Sequence, residues 1–165
     1  MTIEKVSTRK EFTLTMTEYE IAAYVGFQRQ VGIIREDKKD QTGHEEIGYD
    51  KHVLGAIGEY IVAKHLGVFW TGLTKFGATD VGPYQVRTAS TTSTYAPSLI
   101  IRPGDPDNQI SILVTGKELT YTIVGWLWGR DAKRPEFRRQ PQNRPWAFFV
   151  PQHCLYPIDD LDIGR

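Results

Sequence analysis

Helical and strand-like patterns occupy different parts of the 165-residue chain, and this segregation constrains the possible folds more than any other feature. Apolar residues recur at helical spacing between residues 17 and 34 and again from Lys51 to Leu66. From Thr79 onward the chain changes to short β-branched and aromatic runs separated by Gly, Pro and Asn turns. Helices followed by successive hairpin-like strands predict an α+β domain with a mostly antiparallel or mixed central sheet flanked by helices.

Local signals suggest where the two helices begin and end. Thr17, with Glu20 three residues later, fits a capping box at the start of the first helix. Gly67 directly follows Leu66, and glycine commonly ends a helix at such a position. The charged segment 37–50 contains two glycines and is predicted to be a loop between the helices.

The strand-like runs are bounded by turn residues. The predicted strands are an edge strand Phe12–Met16, then Val68–Thr71, Tyr84–Thr88, Ser98–Arg102, Gln109–Thr115, Tyr121–Trp128 and Trp146–Val150. Residues 129–145 are rich in Arg, Pro and Gln and are predicted to form a loop. Leu155–Leu161 is expected to close the domain as a short helix or turn.

Composition narrows the class of protein. A length of 165 residues suits one domain, residues 1–165, and 40% apolar with 12% aromatic residues is enough for a core. The net charge of zero excludes a positive field over the whole protein, so any nucleic-acid binding needs a local patch. Cys154 is the single cysteine, which excludes an internal disulfide. No signal-peptide core or membrane-length apolar run is present, so we predict a cytoplasmic protein without a membrane partner.

Polar residues cluster around a tight turn after residue 79. If Gly82–Pro83 is a two-residue hairpin loop, Asp80 lies opposite Gln85, with Cβ atoms about 5 Å apart. Gln85 and Arg87 are two residues apart on a strand and therefore point to the same side. The Val86 side chain points to the other side, into the core. The segment would thus gather a carboxylate, an amide oxygen and a guanidinium on one surface.

Glu59 occupies an unusual position on the second helix, because its neighbours at helical spacing are small or apolar. A buried carboxylate is costly unless it is paired or binds a metal. The small residues Gly55, Ala56 and Gly58 would let the helix approach the sheet, so that Glu59 could reach Asp80.

These residues match the ligand preferences of a hard divalent cation, which binds oxygen atoms. Such a cation activates water and stabilises the charge that builds up on a phosphate. Arg87 would hold the phosphate through its planar guanidinium. We expect Mg²⁺ or Mn²⁺ to be bound by Glu59, Asp80, Gln85 Oε1 and the backbone carbonyl of Val86.

The order of these motifs resembles the PD-(D/E)XK nuclease superfamily, in which a helix carries a Glu, a hairpin carries an Asp, and an acidic residue, a spacer and a Lys follow. The matching segments are Gly58–Ala63, Thr79–Gly82 and Gln85–Arg87, and the order of elements matches from about residue 51 to 150. The resemblance implies a restriction-endonuclease-like fold and a divalent-metal-dependent hydrolase that cuts DNA phosphodiester bonds. It also implies the catalytic residues Glu59, Asp80, Gln85 and Arg87.

One departure from the superfamily pattern leaves the activity open. Gln85-Val86-Arg87 replaces Glu-x-Lys, so the site loses one negative charge, and Arg87 stays protonated and cannot act as a general base. The chain is therefore a variant nuclease or a catalytically disarmed module that binds nucleic acid or a protein partner. A structural, oligomer-forming protein is a third alternative. The plainer interpretations are a solvated Glu59, turn chemistry at Asp80, and solvent-facing Gln85 and Arg87 on an edge strand.

A basic stretch supplies the local positive charge that nucleic-acid binding would need. Its cations could contact phosphates while Trp126, Trp128 and Trp146 stack on bases. The alternative is a solvated loop with the tryptophans in the core. The expected partner is DNA, with RNA, a homodimer or another protein as alternatives, and the expected contacts are Arg130, Lys133, Arg134, Arg138, Arg139 and Arg144.

Overall fold

The two predicted helices and most of the predicted strands are present, in the predicted order along the chain. The computed structural model describes residues 9–36, 48–72, 78–92 and 94–162. Its elements are β1 (Lys10–Thr13), α1 (Met16–Arg35), α2 (Tyr49–Leu66), β2 (Tyr84–Ser90), β3 (Leu99–Ile101), β4 (Ile110–Lys117), β5 (Thr120–Trp128), α3 (Gly129–Ala132), β6 (Arg138–Arg139) and β7 (Ala147–Val150). Three short 3₁₀ turns lie at Pro135–Phe137, Gln152–Cys154 and Ile158–Asp160.

The strands form two sheets. The larger sheet has the order β1-β5-β4-β2, and the smaller has the order β3-β7-β6. Strand β2 runs parallel to β4, whereas β1 with β5 and β4 with β5 are antiparallel. The prediction of an α+β class with a mixed sheet is confirmed, but the expected succession of hairpins is wrong at β2. The segment 91–109 between β2 and β4 is long enough for the crossover that a parallel pair requires, and it places β3 in the second sheet.

The first helix begins two residues earlier than predicted. Thr15 is the N-cap: its side chain accepts from the Glu18 backbone N–H at 3.2 Å, and Glu18 accepts from the Thr15 N–H at 2.9 Å. The pair Thr17 and Glu20 has the same spacing, so the sequence pattern alone did not distinguish the two. The end of α2 is confirmed, because Gly67 adopts a left-handed conformation with φ of 67°.

Other local predictions were mixed. Val68–Thr71 is not a strand, and the segment 129–145 is not all loop, because it contains α3, a 3₁₀ turn and β6. The short turn at Ile158–Asp160 confirms the expected closing element. Of the predicted loop 37–50, residues 37–47 lie outside the described residues, and the last two belong to α2.

The larger sheet lies between two hydrophobic clusters. On one face, Ile57 and Ile61 of α2 pack with Ile112 of β4. On the other face, Leu113 of β4 joins Leu99 of the second sheet. Alternation along β4 explains this arrangement, since neighbouring residues of a strand point to opposite faces. Strand β4 is therefore buried on both faces and contributes side chains to both hydrophobic clusters.

Helix α1 contacts α2 through small residues and leaves an apolar stripe exposed. Ala22 and Gly26 are buried, and a Cβ at Gly26 would lie only 2.5 Å from the Val53 Cα on α2. On another side of the helix, an exposed apolar stripe comprises Ile21, Tyr24, Phe27 and Ile34, each more than 45% exposed. No helix in the described part of the chain is long and apolar enough to cross a membrane.

The close approach of α2 to the sheet depends on Gly58. A Cβ at this position would overlap the Thr88 Oγ1 on β2 and would lie 2.9 Å from the Thr88 Cβ. The predicted role of a small residue is confirmed for Gly58, but it is wrong for Gly55, where a Cβ would meet nothing within 4 Å.

The two glycines give a matched test of this packing. We expect Gly58→Ala to lower the free energy of unfolding by about 1–3 kcal/mol, because the added methyl group forces the helix from the sheet. Gly55→Ala should raise it by roughly 0.5–1 kcal/mol, because alanine is the better helix former and has open space there. Urea unfolding of both variants measures the difference. Equal stability of the two variants would contradict the close-approach interpretation.

Candidate functional site

The predicted hairpin before β2 is present. Val81 and Tyr84 form an antiparallel bridge, and the Tyr84 N–H donates to the Val81 carbonyl at 2.9 Å. Gly82 has φ of 52°, which is the left-handed conformation that a two-residue hairpin loop needs at its first position. This turn places Asp80 beside the first half of β2.

Asp80 bonds to the strand backbone rather than to a side chain. Its Oδ2 accepts from the Val86 N–H at 2.8 Å. Strand β2 is at the end of the larger sheet, so this N–H points away from β4 towards the open edge. In an extended strand the N–H and C=O of one residue point to the same side, so the Val86 carbonyl faces the same edge as Asp80.

Glu59 is buried and paired, not solvated. It is 6% exposed, and its two oxygens accept from the Arg29 guanidinium at 2.8 and 2.7 Å. The Trp70 Nε1 donates to the same carboxylate at 3.1 Å, and Arg29 also donates to the Gly72 carbonyl at 3.1 Å. The ion pair therefore joins α1, α2 and the segment after α2.

Sequence reasoning missed Arg29, although a signal for it exists. Arg29 follows the buried Ala22 and Gly26 of α1 at offsets of seven and three, which places it on the face towards α2. A cation on that buried face requires an anion, and Glu59 is the anion on the facing helix.

The negative charge of Glu59 acts on Asp80. Burial and the negative charge of Glu59 raise the Asp80 pKa from 3.8 to about 6. The Val86 N–H, Arg87 and Arg29 oppose this shift only in part. This interaction is in line with the expectation that α2 brings Glu59 towards Asp80, which stays a prediction.

Gln85 and Arg87 have partners outside the two carboxylates. The Gln85 Nε2 donates to the Ala78 carbonyl at 3.2 Å. Arg87 donates to the Asp105 Oδ2 at 3.2 Å, and the same oxygen accepts from the Arg102 N–H at 2.9 Å. Asp105 is thus the ion-pair partner of Arg87.

The oxygen atoms at this edge fit a divalent cation in part. No group of three or more His, Cys, Asp or Glu side chains is placed to hold a metal within residues 9–36, 48–72, 78–92 and 94–162. Glu59 is a weaker candidate for a direct ligand, because the Arg29 guanidinium compensates its charge and its two oxygens already accept three hydrogen bonds from Arg29 and Trp70. Asp80 and the Val86 carbonyl do fit, since a carboxylate whose charge is disfavoured by burial and a like charge gains from a nearby cation.

Most of the predicted nucleic-acid contacts have local partners. Arg130 and Arg138 lie over the rings of Trp128 and Trp146, with the guanidinium carbon 4.5 and 4.2 Å from the ring centroid. The Lys133 Nζ donates to the Asp105 carbonyl and to Asp107, and Arg139 donates to the carbonyls of Glu136 and Arg138. Arg134 and Arg144 are exposed. The six residues therefore do not form a single loop of unpaired basic side chains.

Comparisons with protein-family models, curated proteins and solved structures found no match for this chain. The resemblance to the PD-(D/E)XK superfamily therefore rests on the motif residues and on the order of the elements that carry them.

The Arg29–Glu59 pair can be tested with a double-mutant cycle. We expect Arg29→Met and Glu59→Gln each to lower the free energy of unfolding by about 3–5 kcal/mol, because each leaves a buried charge or donor without its partner. The double variant should lose much less than the sum of the two. Urea unfolding gives all three values.

An exposed ion pair provides the control for this cycle. Lys64 and Glu18 lie 2.5 Å apart, but the Lys64 side chain is 48% exposed. Lys64→Met should change stability by less than about 1 kcal/mol. Additive effects of Arg29→Met and Glu59→Gln would rule out a strong coupling between the two residues.

Proposed function

We propose that the chain is a divalent-metal-dependent nuclease that hydrolyses DNA phosphodiester bonds on a restriction-endonuclease-like fold. The observation that carries this proposal is Asp80, which lies at the open edge of β2 beside the Val86 backbone and within charge range of Glu59. A structural carboxylate would normally be solvated or paired with a cation. Asp80 forms none of the described ion pairs and has a raised pKa, and strongly shifted pKa values occur preferentially at functional sites.

The protein would hold Mg²⁺ or Mn²⁺ through few ligands. Asp80 and the Val86 carbonyl are the first candidates, and the Gln85 amide oxygen is a neutral third. Mg²⁺ commonly binds one or two carboxylates and takes its other ligands from water and substrate phosphate, so one carboxylate is sufficient. When bound, the cation would neutralise phosphate charge and lower the pKa of water.

Glu59 and Arg29 would position and tune the site rather than bind the metal. Arg29 fixes the Glu59 carboxylate through two hydrogen bonds, and Glu59 adds negative charge beside Asp80. This negative charge disfavours the ionised form of Asp80 when no cation is bound, and it attracts a cation to the site. Arg87 uses one nitrogen for Asp105, which leaves other donors of its guanidinium for a phosphate oxygen.

A disarmed binding module is the second candidate, and a specific observation favours it. Two carboxylates that could otherwise have joined Asp80 as metal ligands are already in ion pairs. Glu59 pairs with Arg29, and Asp105 pairs with Arg87. Such a module would bind nucleic acid or protein without cutting. The exposed apolar stripe of α1 favours a protein partner or a homodimer in that case. A cytoplasmic location stays a prediction under either candidate.

Cleavage of labelled single- and double-stranded DNA, with Mg²⁺ and Mn²⁺ titrated separately, tests the proposal. We expect metal-dependent cutting by the wild type and a loss of about 100-fold or more in Asp80→Asn, because the variant lacks the anionic ligand. Asp107→Asn is the matched control, since Asp107 pairs with Lys133 outside the site.

The other outcomes separate the two candidates. Equal cutting by wild type and Asp80→Asn would refute the site. DNA binding without cutting in either metal would instead support the disarmed module.

The raised Asp80 pKa also predicts a pH dependence of stability. The folded state holds the Asp80 proton up to about pH 6, whereas the unfolded chain releases it near pH 3.8. Stability contributed by the protonated group is therefore complete below about pH 4 and is lost as the pH rises through about 6. We expect Asp80→Asn to be more stable than the wild type at pH 7.5 by roughly 1–3 kcal/mol, with a smaller difference at pH 4.

Urea unfolding of both proteins at pH 4, 5, 6 and 7.5 without divalent metal measures this effect. The Asp107→Asn control should follow the wild type at each pH. If Asp80→Asn were less stable than the wild type at pH 7.5, Asp80 would be a structural residue and not a destabilising functional one.

A further inference from the structure

A cleft beside Arg87 has a charge pattern that the candidate site does not explain. It has a volume of about 330 Å³ and is lined by residues of β2, β3 and β7, by the segments 102–103 and 141–146, and by the first turn of α2. Its charged lining residues are all basic: Lys51, Arg87, Arg102 and Arg144. The rest of the lining is apolar and comes mainly from Ile100, Phe149, Trp146 and three prolines.

Strand alternation places the apolar lining on the outer face of the second sheet. Ile100 and Phe149 are paired across β3 and β7. Their neighbours Leu99, Ile101 and Val150 point inward and are fully buried. Ile100 is 38% exposed, so an apolar surface remains open between arginines. An exposed apolar surface with a charged rim is typical of a binding site.

Two of the arginines have no anionic partner in the part of the chain that the structure describes. Arg102 and Arg144 are exposed, and neither side chain forms an ion pair with a described Asp or Glu. Several other basic residues do form ion pairs, among them Lys10 with Asp159, Lys64 with Glu18 and Lys133 with Asp107. The cleft therefore combines positive charge that no described carboxylate pairs with and an apolar surface, and this combination is complementary to an anionic ligand with an apolar face.

We propose that the cleft binds an unpaired segment of nucleic acid and leads it past Arg87 to Asp80. Phosphates would contact Arg102 and Arg144, and a base or sugar would cover Ile100 and Phe149. An unpaired strand fits better than a duplex, because a duplex hides its base faces in the stack. The volume matches about one nucleotide, near the lower end for ligand sites.

Arg87 connects the cleft with the candidate site. It lines the cleft, and its charge also acts on Asp80. A strand held in the cleft would thus have its next phosphate beside the Asp80 edge. The part of this inference that concerns delivery to Asp80 rests on the proposed function, whereas binding in the cleft does not.

Fluorescence anisotropy with labelled oligo(dT), oligo(U) and a DNA duplex of the same length, in EDTA and over a range of salt, tests the binding. We expect the wild type to prefer the single strands. The variant Arg102→Ala/Arg144→Ala should bind them roughly tenfold or more weakly at low salt, and its slope of log affinity against log salt should be smaller by about 0.7 for each lost phosphate contact. Ile100→Thr should weaken binding without a change of slope, because it removes only apolar contact.

Arg35→Ala is the matched control, because Arg35 is an exposed arginine in the last turn of α1 that does not line the cleft and is not among the expected nucleic-acid contacts. Unchanged binding by the double variant, an equal loss in Arg35→Ala, or a preference for duplex would overturn the proposal. Displacement of oligo(dT) by a polyglutamate peptide at equal charge concentration would also overturn it, in favour of an acidic protein partner.

The same proteins separate this inference from the nuclease proposal. Binding in EDTA needs no cleavage, so a protein that never cuts DNA still tests the cleft. Conversely, metal-dependent cutting that needs Asp80, together with unchanged binding by Arg102→Ala/Arg144→Ala, would overturn the proposal for the cleft. The nuclease proposal would then still hold.

Discussion

The buried ion pair between Arg29 and Glu59 is the interaction on which the site depends. Two charges removed from water must satisfy each other closely, and here the guanidinium binds both carboxylate oxygens and the Gly72 carbonyl. The pair therefore sets the position of α1 against α2 and orders the chain after α2. It also holds a negative charge beside the hairpin, where that charge acts on Asp80.

Close packing makes this electrostatic arrangement possible. Gly26 brings α1 against the backbone of α2, and Gly58 brings α2 against β2. With side chains at these positions, Glu59 would lie farther from Asp80, and its charge would raise the Asp80 pKa less. The consequence is a carboxyl group whose ionised form is disfavoured in the folded protein. Proteins commonly retain such a destabilising group where it serves a function, because selection for activity outweighs the loss of stability.

Several charged side chains outside the site make short-range contacts. Lys133 and Arg87 bind the turn that carries Asp105 and Asp107 through hydrogen bonds. Arg130 and Arg138 pack over tryptophan rings. A zero net charge thus coexists with a local surplus at Arg102 and Arg144. The position of that surplus beside Arg87 relates the basic cleft to the edge where Asp80 lies. Arg87 would then take part both in nucleic-acid binding in the cleft and in phosphate binding beside Asp80.

Sequence by itself determined the features that depend on neighbours within a few residues. These include the two helices, most strands, the end of α2 at Gly67 and the Gly82–Pro83 hairpin, because periodicity and turn chemistry act locally. Only the tertiary structure decided that β2 pairs in parallel with β4, that Glu59 pairs with Arg29 and that Arg87 pairs with Asp105. These pairings join residues 18 to 30 positions apart, and many side chains of suitable charge compete for each partner. Packing of the whole chain selects among them, which is why a linear pattern could gather the candidate residues but could not assign their partners.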